Sequence, residues 1–237
     1  MKNPHGISLY PHQELAITSL KTGSILNGGV GSGKSLTALV YYIKNEHPKF
    51  LYIVTTAKKR DSKDWEKEIE RLYPLLGWSS FVIDSWNNIK KYTDIKDSFF
   101  IFDEQRVVGS GAWVKSFLKI VKQNSWILLT ATPGDTWLDY IPVFIANGFY
   151  KNRSEFLRRH VVYNNFSKFP KIDHYVEEGR HIRLKNQITI NMEYSKKTTS
   201  IYKDIVVNHD KEKFDLVFKK RWNPYKNFPI RDIGELF

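Results

Sequence analysis

The sequence predicts an α/β fold in which a central, mostly parallel sheet is covered by helices on both faces. Short, continuous apolar runs recur through the first 150 residues, and segments with helical spacing separate them. Continuous apolar runs are typical of strands buried on both faces, and helices are the usual connections between parallel strands. The predicted strands are residues 24–27, 50–55, 80–83, 99–102 and 126–130.

Helices are predicted between these strands, at residues 36–43, 61–73 and 113–121. In the second of them, Trp65, Ile69 and Leu72 recur at helical spacing, and Asp61 or Ser62 is a plausible N-cap. Ligands of such parallel sheets bind at the carboxyl ends of the strands. Functional residues are therefore expected where each predicted strand ends.

A complete G-x-x-x-x-G-K-[ST] motif follows the first strand and opens the first of these helices. Its glycines allow successive backbone N–H groups to converge on a phosphate, and the dipole of the following helix favours an anion. Lys34 is expected to contact the β- and γ-phosphates, and Ser35 to hold Mg²⁺. A flexible Gly/Ser turn would explain the composition, but not the flanking strand and helix. The predicted nucleotide-binding residues of the loop are Gly29, Gly31, Ser32, Gly33, Lys34 and Ser35.

An acidic pair, Asp103-Glu104, ends the strand predicted at residues 99–102. Carboxylates opposite a phosphate loop suit a metal ion and the attacking water. Asp103 is assigned to the metal, and Glu104 to orienting and deprotonating the water. The alternative is an acidic cap for the next element, which the complete phosphate loop makes less attractive.

Three further residues are candidates for the same site. Thr130 and Thr132 follow the last predicted strand, where their hydroxyls could sense the nucleotide state; a Pro-terminated turn is the structural alternative. Gln13 precedes the loop, and its amide donor and acceptor match an adenine edge. A surface glutamine is the commoner meaning of a single Gln.

Composition divides the chain into an ATP-binding domain at residues 1–150 and a small basic C-terminal extension at residues 151–237. The extension carries 19 basic and 11 acidic residues, and the whole chain of 237 residues has a net charge of +12. This balance favours nucleic acid as a partner, although a solvated basic surface would also produce it. Within the extension, residues 174–184 are predicted to form a β-hairpin and residues 196–206 a helix.

Other classes of function are excluded or disfavoured by composition. The absence of cysteine excludes disulfides, cysteine nucleophiles and zinc–thiolate sites, and the seven histidines show no metal-ligand spacing. No apolar stretch is long enough to span a membrane, and no signal-peptide core is present near the start. The expectation is therefore an intracellular, cytoplasmic protein without a membrane partner.

Six motifs in order resemble the first RecA-like lobe of superfamily-two helicases and translocases, particularly their Swi/Snf-type and phage-encoded members. Motif II departs from the DEAD or DEAH form at Gln105-Arg106. The matching segments are residues 9–13 (the adenine-reading Gln motif), 28–35 (motif I), 55–57 with the following Trp65 (motif Ia), 84–87 (motif Ib), 103–106 (motif II) and 129–133 (motif III).

This resemblance implies a three-layer RecA-like P-loop domain that uses ATP and Mg²⁺. It assigns catalysis to Lys34 and Glu104, and coupling to Gln105, Thr130 and Thr132. In the family, a second lobe supplies arginine fingers. The residues after motif III are too few for that lobe, so a protein partner or self-association is expected to supply the fingers. Residues 179–183 copy the G-R-x-x-R of the finger motif but lie too close to motif III, and residues 184–206 resemble the exit toward the inter-lobe linker.

The leading hypothesis is a helicase-type ATP hydrolase that is weak alone and associates with DNA rather than RNA, in replication, recombination or remodelling. In a phage the location would be the infected host cell. Lys58, Lys59 and Arg60 follow a strand end and are the predicted contacts to the nucleic-acid backbone. One alternative is an ATP-gated adaptor or loader that binds DNA or protein without unwinding. A small-molecule P-loop kinase would leave motifs Ia and III unexplained.

Overall fold

Six parallel strands form the central sheet of the larger of two units. The computed structural model describes residues 8–76, 80–104, 107–164, 171–193 and 210–231, and the chain divides into Met1–Ser195 and Lys196–Phe237. In the first unit the strands are β1 (Ser24–Gly28), β2 (Leu51–Thr55), β3 (Phe81–Ser85), β4 (Phe99–Asp103), β5 (Ser125–Thr130), β6 (Val161–Asn164), β7 (Lys171–Tyr175) and β8 (Thr189–Met192). The helices are α1 (Pro11–Ser19), α2 (Lys34–Asn45), α3 (Ala57–Asp61), α4 (Asp64–Leu76), α5 (Ala112–Ile120), α6 (Trp137–Ala146), α7 (Arg153–His160) and α8 (Glu178–Ile188), with a 3-10 helix at Trp86–Tyr92.

The sheet has the strand order β3-β2-β4-β5-β1-β8 and separates two apolar cores. Successive side chains of a strand point to opposite faces. Along β4, Phe99 and Ile101 therefore pack with α1, α2 and α4, whereas Phe100 and Phe102 pack with α5, α6 and α7. The predicted fold class, a three-layer α/β domain with a central parallel sheet, is confirmed.

All five predicted strands and the three helices predicted between them are present in the structure. Their ends differ from the predicted ends by a few residues. The segment at residues 61–73 is divided, because α3 ends at Asp61 and Lys63 has a left-handed backbone (φ 54°) before α4 begins. The helices α6 and α7 were not predicted.

The hairpin predicted at residues 174–184 is wrong. Most of that segment belongs to the helix α8, which buries His181 and Ile188, two residues that lie seven apart on one face. The strand β7 instead pairs with β6 in an antiparallel pair. The G-R-x-x-R copy at residues 179–183 thus lies on a helix rather than within a hairpin.

The edge strand β8 extends the first unit well beyond residue 150. It pairs in parallel with β1, so that Ile190 lies beside Leu26. Residues 189–192, which resemble part of an inter-lobe exit in sequence, are therefore a strand of the central sheet, and the unit continues to Ser195. The helix predicted at residues 196–206 lies outside the described residues.

The second unit is small. Its described residues form α9 (Lys211–Phe218) and the antiparallel strands β9 (Trp222–Asn223) and β10 (Phe228–Pro229). The carboxylate of Asp210 begins α9 as an N-cap, accepting hydrogen bonds from the backbone N–H groups of Glu212 and Lys213. This unit belongs to the segment predicted to be a basic extension.

Candidate nucleotide site

The loop between β1 and α2 has the backbone that a phosphate cradle requires. Gly31 (φ 82°) and Gly33 (φ 80°) both adopt the left-handed conformation that favours glycine. A Cβ at Gly33 would collide with the amide of Gln13, whereas a Cβ at Gly31 would meet no atom within 4 Å. Gly33 is therefore required by space as well as by conformation, and Gly31 faces open space.

Two hydroxyl groups of this loop have no hydrogen-bond partner in the part of the chain that the structure describes. Ser32 is buried, and its Oγ makes no hydrogen bond with a described residue. The hydroxyl of Ser35, in the first turn of α2, also has no hydrogen-bond partner among the described residues. A buried hydroxyl without a partner is costly, and a phosphate oxygen would satisfy it. These residues fit a bound nucleotide phosphate.

Lys34 lies against the loop. Its Nζ donates hydrogen bonds to the carbonyl oxygens of Gly28 (2.5 Å) and Gly29 (3.0 Å). Burial lowers the pKa of Lys34 below its ordinary value; the charge of Asp103 opposes this shift, Lys59 adds to it, and Glu104 opposes it. The loop lysine and the acidic pair, which are distant in sequence, therefore lie close enough to interact electrostatically.

The side chain of Gln13 stabilises the phosphate loop through hydrogen bonds. Its Oε1 accepts a hydrogen bond from the backbone N–H of Tyr10 (2.9 Å), and its Nε2 donates to the carbonyl oxygen of Ser32 (3.4 Å). The side chain is buried, and the ring of His12 also contacts the Ser32 carbonyl, at 3.2 Å. Gln13 thus positions the phosphate loop, and its contact with adenine stays a prediction.

Asp103 is a buried acceptor at the carboxyl end of β4. Its Oδ2 accepts hydrogen bonds from Thr55 Oγ1 (2.8 Å), Lys59 Nζ (3.1 Å) and Trp65 Nε1 (2.9 Å). The backbone oxygen of Asp103 accepts a further bond from Trp86 Nε1 (3.0 Å). Because the side-chain bonds all fall on Oδ2, Oδ1 has no hydrogen-bond partner among the described residues and is available to a cation.

Glu104 directs its carboxylate toward solvent beside Asp103. Its backbone is left-handed (φ 56°), which is uncommon for a residue with a side chain, and its N–H donates to the carbonyl oxygen of Leu129 (3.1 Å). The side chain is 43% exposed, and Oε1 forms an ion pair with Lys59 Nζ at 2.7 Å. Oε2 makes no hydrogen bond with a described residue, so one oxygen of this carboxylate can accept a proton.

The three residues predicted to contact nucleic acid have different surroundings. Lys59 bridges Asp103 and Glu104; burial tends to lower the pKa of Lys59, but the two carboxylates outweigh burial and raise it. Arg60 forms ion pairs with Asp61 (2.8 Å) and Asp84 (3.4 Å). Lys58 is exposed and has no ion pair with a described residue. Of the three, Lys58 is the one whose charge is fully available to a phosphate backbone.

The remaining predicted residues lie near the end of β5 or outside the described part of the chain. Thr130 is buried, and its Oγ1 accepts a hydrogen bond from the backbone N–H of the exposed Thr132 (3.0 Å). Thr130 follows Leu129, which lies beside Asp103 in the sheet. Gln105, with Arg106, lies outside the described residues.

Sequence reasoning missed the acceptor role of Asp103 toward Thr55 and Trp65. Both residues belong to the segments that resemble motif Ia, but a motif in the sequence does not say which strand will lie beside it. The contact arises because β2 is the neighbour of β4 in the sheet. A prediction of the strand order, with β2 beside β4, would have placed Thr55 next to Asp103.

Replacing Trp65 by Phe should lower the free energy of unfolding more than replacing Trp126 by Phe. Both side chains are 2% exposed, but Trp126 Nε1 makes no hydrogen bond with a described residue. A hydrogen bond to a charged group contributes about 1.5–3 kcal/mol, which is the expected difference between the two variants. Urea denaturation of both variants measures it, and equal losses would show that the bond to Asp103 contributes nothing.

Comparison with known proteins adds little to this description. No protein-family model and no curated protein sequence matches the chain. Among solved structures, the chain is similar to the helicase domain of Hef from Pyrococcus furiosus, with 19% identity and a TM-score of 0.47, covering 58% of this chain and 36% of that one. The chain thus spans about a third of the solved chain's length. With a TM-score below 0.5, this likeness assigns no function.

Two features are absent from the part of the chain that the structure describes. No helix in it is long and apolar enough to cross a membrane. No group of three or more His, Asp and Glu side chains there could hold a metal ion. Mg²⁺ at a nucleotide site uses only one or two protein oxygens, with water and phosphate as its other ligands. Ser35 and Asp103 Oδ1 satisfy that smaller requirement.

Proposed function

We propose that this chain is a nucleic-acid-associated ATPase of the helicase type, which binds ATP with Mg²⁺ and hydrolyses it. The observation that carries the proposal is the phosphate loop after β1, whose buried Ser32 hydroxyl has no partner among the described residues, at the same edge of the parallel sheet as the carboxylates of Asp103 and Glu104. A phosphate-binding lysine and two carboxylates on a strand end are the parts that phosphoryl transfer to water requires.

In the proposed mechanism each residue has one task. The loop N–H groups, Lys34 and the Ser32 hydroxyl bind the phosphates. Ser35 and Asp103 would hold Mg²⁺, which neutralises charge on the phosphates when bound. Glu104 accepts a proton through Oε2 from a water molecule that attacks the γ-phosphorus, and the bond to the β-phosphate oxygen breaks to release ADP. Thr55, Trp65 and Lys59 position Asp103.

The finer parts of the proposal concern partners. DNA is proposed rather than RNA, with Lys58 as a backbone contact, and a partner or a second copy is proposed to supply arginine fingers. Such fingers contribute about 10³–10⁵ in rate, so hydrolysis by the chain alone is expected to be slow. Hydrolysis should be measured on the purified chain with and without single-stranded DNA, and with RNA of the same length. Absence of hydrolysis under all three conditions contradicts the proposal.

A second candidate is an ATP-gated binding module, whose affinity for a partner changes when it binds nucleotide. The ion pair between Glu104 and Lys59 favours it, because a carboxylate oxygen that is held by an ammonium is not free to orient a water molecule. In such a module, loss of hydrolysis would leave the binding of DNA and its response to ATP intact.

Replacing Lys34 by Ala should weaken the binding of a fluorescent ATP analogue by about tenfold to a hundredfold. The lost contact is a hydrogen bond between charged groups, for which about 1.5–3 kcal/mol is typical. Lys44→Ala on the same helix is the control, since Lys44 is exposed in the last turn of α2. Nucleotide affinity that is equal in the two variants would place the nucleotide elsewhere.

A further inference from the structure

The described part of the second unit exposes an unusual amount of aromatic surface. Tyr225 is 81% exposed, Phe218 65%, Phe214 44% and Trp222 36%. Large apolar side chains are normally exposed singly, and a cluster of them usually marks a binding surface. We call these four residues, together with Lys220, Arg221 and Lys226, the aromatic–basic surface.

Local hydrogen bonds hold the aromatic rings in place. The buried side chain of Asn223 accepts hydrogen bonds through Oδ1 from the backbone N–H groups of Tyr225 (3.0 Å) and Lys226 (3.1 Å). This turn presents the ring of Tyr225 to solvent from a fixed backbone. On α9, Phe214 and Phe218 stack on each other with ring centroids 4.5 Å apart. The turn and the stacking of the two phenylalanines therefore restrict the positions of the exposed rings.

Positive charge surrounds these rings. Residues 210–231 contain seven basic and three acidic residues. Lys220, Arg221 and Lys226 are exposed and form no ion pair with any residue that the structure describes, whereas Lys213 Nζ lies 5.4 Å from the ring centre of Tyr225. Exposed cations and exposed rings on the same short segment complement a ligand that has both anionic groups and flat apolar groups.

The geometry points to single-stranded nucleic acid as that ligand, with bases stacked on Tyr225 and Phe218 and phosphates near Lys220, Arg221 and Lys226. Sequence-tolerant proteins bind single strands through this combination of aromatic platforms and cations. A duplex hides its base faces and so offers these rings nothing to stack on, whereas an unpaired strand offers a flat base beside every phosphate; binding of an anionic membrane is one of the outcomes that the test separates. The inference rests on the proposed association with nucleic acid and adds a second contact region.

The test compares two strands that carry the same phosphates. Fluorescence anisotropy of the full chain, without nucleotide, should be measured with an oligothymidylate of about 15 nucleotides and with an abasic strand of equal length. Tyr225→Ala is expected to weaken oligothymidylate binding about tenfold and to change abasic-strand binding less than about twofold. Tyr163→Ala, which removes an exposed tyrosine of the first unit, is the control and should change neither.

Three results would overturn the inference: equal affinity of the wild-type chain for both strands, equal losses in Tyr225→Ala and Tyr163→Ala, or binding of anionic phospholipid vesicles that requires Tyr225 while oligothymidylate binding does not. The ATPase is tested separately through Lys34. If hydrolysis depends on Lys34 but the two strands bind equally, only the aromatic–basic surface is wrong. If strand binding depends on Tyr225 but ATP is not hydrolysed, only the proposed enzyme is wrong.

Discussion

Glu104→Gln is expected to slow ATP hydrolysis by about 10²–10⁴-fold while leaving nucleotide affinity within about threefold. The amide keeps the size of the side chain and removes its capacity to accept a proton from water. Lys34 and the loop, which bind the phosphates, are unchanged. Single-turnover hydrolysis and anisotropy of a fluorescent nucleotide measure the two quantities independently.

The ion pair with Lys59 requires its own control, because Glu104→Gln also weakens that pair. Lys59→Met removes the ammonium but leaves the carboxylate of Glu104 able to act. If Glu104 is the base, Lys59→Met should retain far more hydrolysis than Glu104→Gln. Equal losses would show that the ion pair, rather than proton transfer to Glu104, limits the reaction. Full DNA binding with an unchanged ATP response in Glu104→Gln would support the ATP-gated module.

The sheet could be predicted because its interior strands are locally distinctive. The segment of β4 has four apolar residues in succession, a pattern typical of a strand covered on both faces. The strand β8, with the sequence Thr-Ile-Asn-Met, has no such run. It becomes a strand through its pairing with β1, a contact between distant residues that no short window contains.

The helix α8 was missed for a related reason. Its buried positions are filled by His181 and Ile188, and a histidine is not counted in an apolar pattern. The ring of His181 packs against Phe156, which is fully buried, and Trp137, which is partly buried, and both come from other elements. When a polar residue is buried by tertiary contacts, the apolar pattern of the sequence lacks that position, and the helical spacing cannot be recognised.

The candidate site also has a part that could be predicted from the sequence and a part that could not. The phosphate loop could be predicted because its glycines, Lys34 and Ser35 form one continuous segment. The placement of Lys59 between Asp103 and Glu104 could not, since it depends on the position of α3 above the end of β4. Lys59 was predicted to contact nucleic acid, and its contacts in the structure are with the two carboxylates.

Lowering the pH from about 7.5 to about 5 is expected to destabilise the protein by about 2 kcal/mol through His181 alone. His181 is fully buried, and neither ring nitrogen has a hydrogen-bond partner among the described residues. Burial, followed by the charge of His160, lowers the pKa of His181 to about 4 from 6.5. The unfolded chain therefore binds a proton as the pH falls below 6.5, while the folded chain resists protonation until about pH 4. Stability is present above 6.5 and lost between these values.

The titratable and charged groups around His181 determine how much stability is lost at low pH. The ring centroids of His160 and His181 are 4.6 Å apart, and burial lowers the pKa of His160 too, while Glu177, 3.1 Å from its Nδ1, opposes that shift. Arg180 adds positive charge, which disfavours protonation of His181 further. His181→Phe fills the site without a titratable group, so urea denaturation at the two pH values should show a loss smaller by about 2 kcal/mol, with the remainder from His160. An equal loss in wild type and His181→Phe would mean that His181 is already hydrated or protonated in the folded state.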